Sequence, residues 1–99
     1  MSRTILLDAG PLGRLTAPPG KPGPATDCAR WLAGRLAAGD RVLVPEITDY
    51  GTRRELVRAK TAKSVGRLDA LSVTVGYLPL TTAVTRQAAD LWATARQTG

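Results

Sequence analysis

The chain opens with a short run of large aliphatic residues, Ile5-Leu6-Leu7, which ends at the carboxylate Asp8 and the turn-forming pair Gly10-Pro11. A continuous apolar run of this length predicts a strand that is covered on both faces. In open α/β sheets, ligands bind outside the carboxyl ends of the strands. This stretch therefore predicts a buried first strand that presents Asp8 at the functional edge of a sheet. The simpler interpretation, in which Asp8 only opens a turn or caps an element, stays open on this evidence alone.

Strand and helix patterns alternate along the rest of the chain. The segment 9–24 is rich in Pro and Gly and predicts a long loop. Apolar runs predict strands at 42–44 and 73–78, and helical periodicity appears over 25–38, 46–59, 61–71 and 82–98. The resulting order, β-α-β-α-α-β-α, predicts an α/β fold with a parallel sheet that helices cover on both faces.

The composition limits the chemistry available to the chain. Its 99 residues predict one small domain, 1–99, and its single cysteine, Cys28, excludes an internal disulfide and fits a reducing compartment. The absence of His excludes His-based acid–base catalysis, Ser-His and Cys-His nucleophile pairs and nearly every zinc site. No signal-peptide or membrane-spanning pattern is present, so we expect a cytoplasmic protein that does not enter a membrane. Any catalysis then depends on carboxylates and a hard metal ion.

The charge balance predicts an anionic partner. Fourteen Lys and Arg residues stand against eight Asp and Glu residues, which gives a net charge of +6. Nucleic acid is the first expectation and a membrane surface the second. The densest basic run lies between positions 53 and 67 and contains no aromatic residue, so it predicts phosphate-driven, salt-dependent binding without base stacking. A solvated helix surface is the alternative interpretation of the same run.

Three segments of the chain, 5–12 (ILLDAGPL), 42–56 (VLVPEITDYGTRREL) and 88–99 (AADLWATARQTG), together resemble a PIN domain, the fold of many toxin–antitoxin ribonucleases of the VapC kind. The resemblance implies a three-layer α/β/α sandwich with a short parallel sheet. It also implies an endoribonuclease that uses a cluster of acidic residues to hold Mg²⁺ or Mn²⁺. Such ions prefer oxygen ligands, generate a hydroxide and shield the charge of the phosphate. RNA and an antitoxin-type protein are the partners that this resemblance implies.

The resemblance assigns roles to individual residues and also reveals gaps. Asp8 matches the first metal-binding Asp of the family and is its catalytic and metal-ligating candidate here. The second family carboxylate is a Glu six residues after the strand-ending Pro, and this sequence has Gly51 there. Glu55, one turn further along the same face, is the candidate substitute, with Glu46 a second. The remaining family acids follow the part that matches 88–99. Contacts with RNA phosphates are predicted for Arg14, Lys21, Arg53 and Arg54.

Two functions therefore stay open: a metal-dependent ribonuclease of the PIN class, and a catalytically inactive PIN-like module that binds RNA or protein. A nucleotide-binding domain of the flavodoxin or receiver kind is disfavoured, because strand three ends in Leu78-Pro79-Leu80 where a receiver needs an Asp.

The resemblance also bears on the oligomeric state. In the PIN family a further strand lies beside the first strand. Because that strand has no counterpart here, we expect the first strand to be an exposed edge and the protein to form a homo-oligomer.

Overall fold

The structure, a computed structural model, describes residues 2–20 and 22–98 of the chain. In chain order its elements are β1 (Thr4–Leu6), α1 (Ala9–Thr16), α2 (Pro24–Ala37), β2 (Arg41–Pro45), α3 (Glu46–Arg58), α4 (Ala62–Val75), β3 (Tyr77–Leu78) and α5 (Thr82–Thr98). The α/β class is confirmed, and all of the predicted strands and helices are present. One helix, α1, was not predicted from the sequence.

The three strands form one parallel sheet in the order β1-β2-β3. Thr4 pairs with Arg41 across β1 and β2, and Val44 pairs with Tyr77 across β2 and β3. The strand β1 lies at the edge of this sheet, as expected. The prediction that β1 is covered on both faces is wrong, because the Leu6 side chain is 54% exposed. Only β2, the central strand, carries a fully buried apolar run, at 42–44.

The predicted loop over 9–24 is wrong in its first half, where α1 forms. Pro11 lies in the first turn of α1, where a missing N–H costs no intrahelical hydrogen bond. The first turn closes when the backbone N–H of Leu12 donates to the carbonyl of Asp8 at 3.0 Å. Leu12 and Thr16, four residues apart, are fully buried. Their packing stabilises a helix that the two glycines in its sequence do not favour by themselves.

The predicted strand over 73–78 is also too long. Helix α4 continues to Val75, and only Tyr77 and Leu78 pair with β2. Val75 packs against the core in this helix, whereas Val73 is 88% exposed. Gly76 then turns the chain with a φ of +131°, and a Cβ atom at this position would lie 2.9 Å from Cδ2 of Leu43. The helix therefore continues through the β-branched run 73–75 and ends where Gly76 turns the chain into β3.

The core is built around β2 by residues from β2 itself, from the segment that follows β1, and from α1, α2 and α4. Its buried members are Leu7, Leu12, Leu32, Val42, Val44 and Leu68. Among the described residues, α5 contributes no member to this cluster and leaves Leu91 and Trp92 exposed. No helix in the described part of the chain is both long enough and apolar enough to cross a bilayer.

A buried carboxylate fastens the start of β1 to the rest of the fold. The backbone N–H of Arg3 donates to Oδ1 of Asp40 at 2.9 Å, although 37 residues separate the two. Nη1 of Arg35 lies 3.2 Å from the other oxygen, Oδ2, without hydrogen-bond geometry. Asp40 immediately precedes β2, so this contact fixes where β1 begins its pairing with β2.

Candidate nucleic-acid interface

Asp8 lies where the sequence predicts it, directly after β1 and its last buried neighbour, Leu7. It occupies the N-cap position of α1, but its side chain makes no capping hydrogen bond. The carboxylate is exposed and has no hydrogen-bond or ion-pair partner among the described residues. Its side chain is therefore available at the carboxyl edge of the sheet and is not used to cap the helix.

Gly51, the position at which the family has a Glu, lies inside α3. A Cβ atom built on Gly51 would meet no other atom within 4 Å, and its backbone is not in the left-handed region. Neither close packing nor backbone conformation therefore requires a glycine here. The site has open space for a side chain and lacks the carboxylate that the family resemblance implies.

The two acids considered as substitutes are both engaged in local contacts. Oε2 of Glu55 accepts a hydrogen bond from Nε of Arg58 at 2.9 Å and lies 2.9 Å from Nη2 of the same ion-paired guanidinium, on the exposed surface of α3. Oε1 of Glu46 accepts a hydrogen bond from the backbone N–H of Leu80 at 2.6 Å. The ligand roles predicted for these residues stay predictions.

The described residues do not form a closed cage of protein ligands for Mg²⁺ or Mn²⁺ within one copy of the chain. Over 2–20 and 22–98, no group of three or more Asp, Glu and Cys residues is placed to hold a metal. Mg²⁺ takes six oxygen ligands, of which usually one or two come from carboxylates and the others from water and substrate phosphates. The available carboxylate of Asp8 supplies only part of such a set.

Arg53 belongs to a network of polar side chains that the sequence analysis did not single out. Its Nη2 atom donates to Oδ1 of Asp49 at 3.0 Å and to Oδ1 of Asp69 at 2.7 Å. The hydroxyl of Tyr77 donates to Oδ2 of Asp49 at 3.2 Å. Asp49 is only 9% exposed, so the network holds a buried carboxylate between α3, α4 and β3.

The network has electrostatic consequences for its members. The hydrogen bonds to Asp49 and then Asp69 raise the pKa of Arg53, and burial followed by the charge of Asp49 raises the pKa of Tyr77. Two carboxylates therefore compensate the positive charge of Arg53, and its predicted phosphate contact stays a prediction.

One pair of this network could have been predicted from the sequence, because Asp49 and Arg53 lie four residues apart on a helix. The contribution of Asp69 and Tyr77 depends on the tertiary fold.

Arg54, the neighbouring phosphate candidate, lies on the exposed side of α3. Its guanidinium carbon is 5.6 Å from the centroid of the Tyr50 ring, and its Nε atom is 4.0 Å from Oε1 of Glu55. Both contacts are at the surface and contribute little stability.

Positive charge without an acidic partner collects around two neighbouring clefts. The first, which we call the basic cleft, has a volume of about 480 Å³ and is lined by Arg14, Arg30 and Arg67, with Asp27 as its one acidic residue. The second, of about 420 Å³, is lined by Lys60, Lys63 and again Arg67. In the described part of the chain none of these five cations forms an ion pair. Arg14 was predicted to contact phosphate, whereas Lys21 lies outside the described residues.

Among the five cations that line the two clefts, Arg67 is the one that hydrogen bonds hold in place, although the sequence analysis noted it only as part of a basic run. Its Nε atom donates to the backbone carbonyl of Thr16 at 2.8 Å, and its Nη2 atom donates to Oγ of Ser64 at 2.8 Å. Thr16 is fully buried and Ser64 nearly so. The guanidinium is therefore anchored to two different elements, α1 and α4, at the point where both clefts meet.

Cys28, on α2, lies close to the basic cleft. Its Sγ atom donates to the carbonyl of Pro11 at 3.7 Å. Burial raises the pKa of the Cys28 thiol, and the positive charge of Arg14 partly opposes this shift. The thiol is consequently a weak nucleophile at neutral pH and shows no feature of a catalytic cysteine.

Comparisons with known proteins do not identify the chain. No protein-family model matches its sequence, and neither the curated proteins nor the solved structures contain a match.

Proposed function

We propose that this chain is a PIN-like domain, descended from metal-dependent ribonucleases of the VapC kind, that binds single-stranded RNA through the basic cleft. The PIN-type three-layer arrangement is part of this proposal. The observation that carries it is the convergence in one cleft of Arg14, Arg30 and Arg67, none of which forms an ion pair among the described residues. On α3, by contrast, acidic partners lie beside the arginines at 53, 54 and 58.

Unpaired guanidinium groups in a cleft favour phosphate for two reasons. Their forked N–H groups match the geometry of phosphate oxygens, and each neutralised phosphate releases a condensed counterion. Three phosphate contacts predict a slope of about −2 for the logarithm of the affinity against the logarithm of the salt concentration. Binding should tolerate many sequences, because phosphate contacts carry no sequence information. The lining of the cleft contains no aromatic residue, so we expect no base stacking there.

The test measures the fluorescence anisotropy of a labelled single-stranded RNA with the intact chain. We expect the double substitution Arg14→Gln/Arg30→Gln to weaken binding about a hundredfold, since each lost charge-assisted contact costs about tenfold. The matched control, Arg86→Gln/Arg96→Gln on α5, removes the same charge outside the cleft and should change affinity only a few-fold. Equal losses in both variants would show that binding depends on net charge and not on the cleft. No binding by the parent chain would favour the protein-binding alternative, an antitoxin-type partner.

A ribonuclease is the second candidate function, and the exposed, unpaired carboxylate of Asp8 is the observation that favours it. Cleavage of labelled RNA with Mg²⁺ or Mn²⁺ should be compared for the parent, Asp8→Asn and Gly51→Glu. A Cβ atom at position 51 meets no neighbouring atom within 4 Å beyond its own helix backbone and chain neighbours, so the first atom of the added side chain causes no clash. Cleavage by the parent that Asp8→Asn abolishes would establish the enzyme. Activity that appears only in Gly51→Glu would identify position 51 as the missing ligand, and activity in none would leave an RNA-binding domain.

A further inference from the structure

We infer that the basic cleft accommodates a phosphate monoester, as found at the end of an RNA strand or on a mononucleotide, in preference to an internal phosphodiester. The inference rests on the proposed function, because it names the chemical group that the same cleft recognises. It is carried by the charge, the anchoring and the size of the cleft.

The charge of the cleft matches a dianion. Arg14, Arg30 and Arg67 line it together with Asp27, which leaves an excess of two positive charges. A phosphate monoester carries about −1.5 to −2 at pH 7, whereas each internal phosphodiester carries a single negative charge. Because Arg stays protonated at all ordinary pH values, three arginines provide a permanent rather than a switchable counter-charge.

The anchoring of Arg67 prepares the site before a ligand arrives. The guanidinium is fixed by the carbonyl of Thr16 and the hydroxyl of Ser64. Thr16 is itself held, since its hydroxyl contacts the carbonyls of Leu12 at 3.0 Å and Gly13 at 3.2 Å. These hydrogen bonds use Nε and Nη2 of Arg67, so its Nη1 group can donate a hydrogen bond to a phosphate oxygen. A pre-positioned cation loses less side-chain entropy on binding than a free surface arginine does.

The size of the cleft is sufficient for one nucleotide. Its volume of about 480 Å³ lies within the range of small-ligand pockets. Apolar residues form much of its wall and provide a surface for the sugar and base that follow the phosphate. They include Leu15, Pro19, Ala25 and Ala29. A chain end can place its phosphate among the three arginines without a second strand segment having to leave the cleft.

The test compares one labelled RNA in three forms: with a 5′-phosphate, with a 3′-phosphate and with hydroxyl groups at both ends. A fourth RNA, hydroxyl-ended and lengthened by two nucleotides, matches the total charge of the phosphorylated forms. We expect one phosphorylated form to bind about tenfold more tightly than the lengthened RNA, as one additional charge-assisted contact would give. Competition by a nucleoside monophosphate and by inorganic phosphate then distinguishes recognition of an RNA end from capture of a free nucleotide.

Two cleft variants and one control variant test whether the preference for phosphorylated RNA depends on the cleft. Arg30→Gln should remove the preference for the phosphorylated RNA, and Arg86→Gln on α5 should retain it at the same net charge. Arg67→Lys keeps the charge but loses the two hydrogen bonds that position the guanidinium, so it should bind all four RNAs while losing the preference. Circular dichroism of each variant confirms that it is folded.

The outcomes separate this inference from the proposed function. Equal affinity for the phosphorylated and the lengthened RNA would overturn the inference and leave RNA binding intact. Binding of the nucleoside monophosphate without binding of any RNA would support the inference and overturn the proposed function. A preference that survives in Arg30→Gln and Arg67→Lys alike would place the phosphate elsewhere and overturn the inference.

Discussion

Gly51 is the residue at which this chain departs most clearly from the family that it resembles. The glycine weakens α3 without a compensating contact, since no atom lies within 4 Å of the position that its Cβ would occupy. It is half-buried, and the acids nearest to it in sequence, Asp49 and Glu55, are both paired with arginines. The position is therefore open both to a stabilising change and to a functional one.

We expect Gly51→Ala to raise the free energy of unfolding by about 1 kcal/mol, because alanine has the higher helix propensity and meets no atom here. Urea denaturation of the parent and the variant measures the change. Gly76→Ala is the matched control and should destabilise, because its φ is +131° and its Cβ would clash with Leu43. A loss of stability in Gly51→Ala would reveal a packing contact at this position that the structure does not contain.

Tyr77 provides a prediction about pH. Burial and the charge of Asp49 raise the pKa of its phenol above the ordinary value of 10.0. The folded state therefore favours the neutral phenol, so the stabilisation is complete below pH 10 and is lost as the pH rises through the higher pKa of the folded state. In a Tyr50→Phe background, where Tyr77 is the only tyrosine, phenolate absorbance should titrate above pH 10. A midpoint at or below 10 would contradict the hydrogen bond to Asp49.

At the scale of elements, helix α5 differs from the other helices. None of its described residues belongs to the core cluster or packs against it, whereas α3 at least packs Leu56 there. Its Trp92 is 63% exposed beneath the guanidinium of Arg96, which lies 5.2 Å from the ring centroid. Helices α1, α2 and α4 each bury at least one side chain in that core. The hydrogen bonds of α5 consequently depend on local helix stability more than on tertiary packing.

We expect the backbone amides of α5 to exchange with deuterium faster than those of α2. Exchange follows local opening, and an element with few buried apolar contacts opens at a lower free energy than the fold as a whole. Mass spectrometry of peptides from 82–98 and from 24–37 makes the comparison within one sample. Equal protection in both helices would mean that α5 is covered in solution by another surface.

The elements also show how far the sequence predicts the fold. The central strand and the amphipathic helices were predictable because their apolar periodicity agrees with the packing that they form. Helix α1 was missed because Pro11 and two glycines oppose helix formation locally, and the burial of Leu12 and Thr16 overcomes them. The end of α4 was mistaken for a strand because β-branched residues favour strands when neighbouring packing is ignored.

For the candidate site, the sequence was informative about chain position and less so about partners. The place of Asp8 followed from the pattern of β1, whereas a missing carboxylate at Gly51 rests on the family resemblance alone and stays a prediction. By contrast, Arg30 and Arg67 come together with Arg14 only through the packing of α1, α2 and α4, and no spacing in the sequence encodes that convergence. The contacts of Asp69 and Tyr77 were inaccessible for the same reason.

At the scale of the whole molecule, the open edge of β1 supports the prediction that the protein self-associates. The strand pairs only with β2, and its Leu6 side chain is more than half exposed. An apolar, unpaired edge is a site at which a second copy can add a strand. We expect the parent chain to form dimers and Leu6→Lys to shift the equilibrium towards monomers, as measured by sedimentation equilibrium.

Leu80→Lys is the matched control, since Leu80 is exposed to a similar extent outside the sheet. It should leave the association constant nearly unchanged. An equal response of both variants would point to general repulsion by added charge, and a monomeric parent chain would contradict the prediction directly.

The shape of the molecule limits which methods can assign its oligomeric state. Its radius of gyration is 15.0 Å, whereas about 13 Å is typical of a compact domain of this length. With extents of 44 × 35 × 25 Å, a single copy should elute early from a gel-filtration column calibrated with spherical standards. Early elution therefore does not by itself indicate a dimer. The stoichiometry of this protein must be assigned by a method that measures mass rather than hydrodynamic radius.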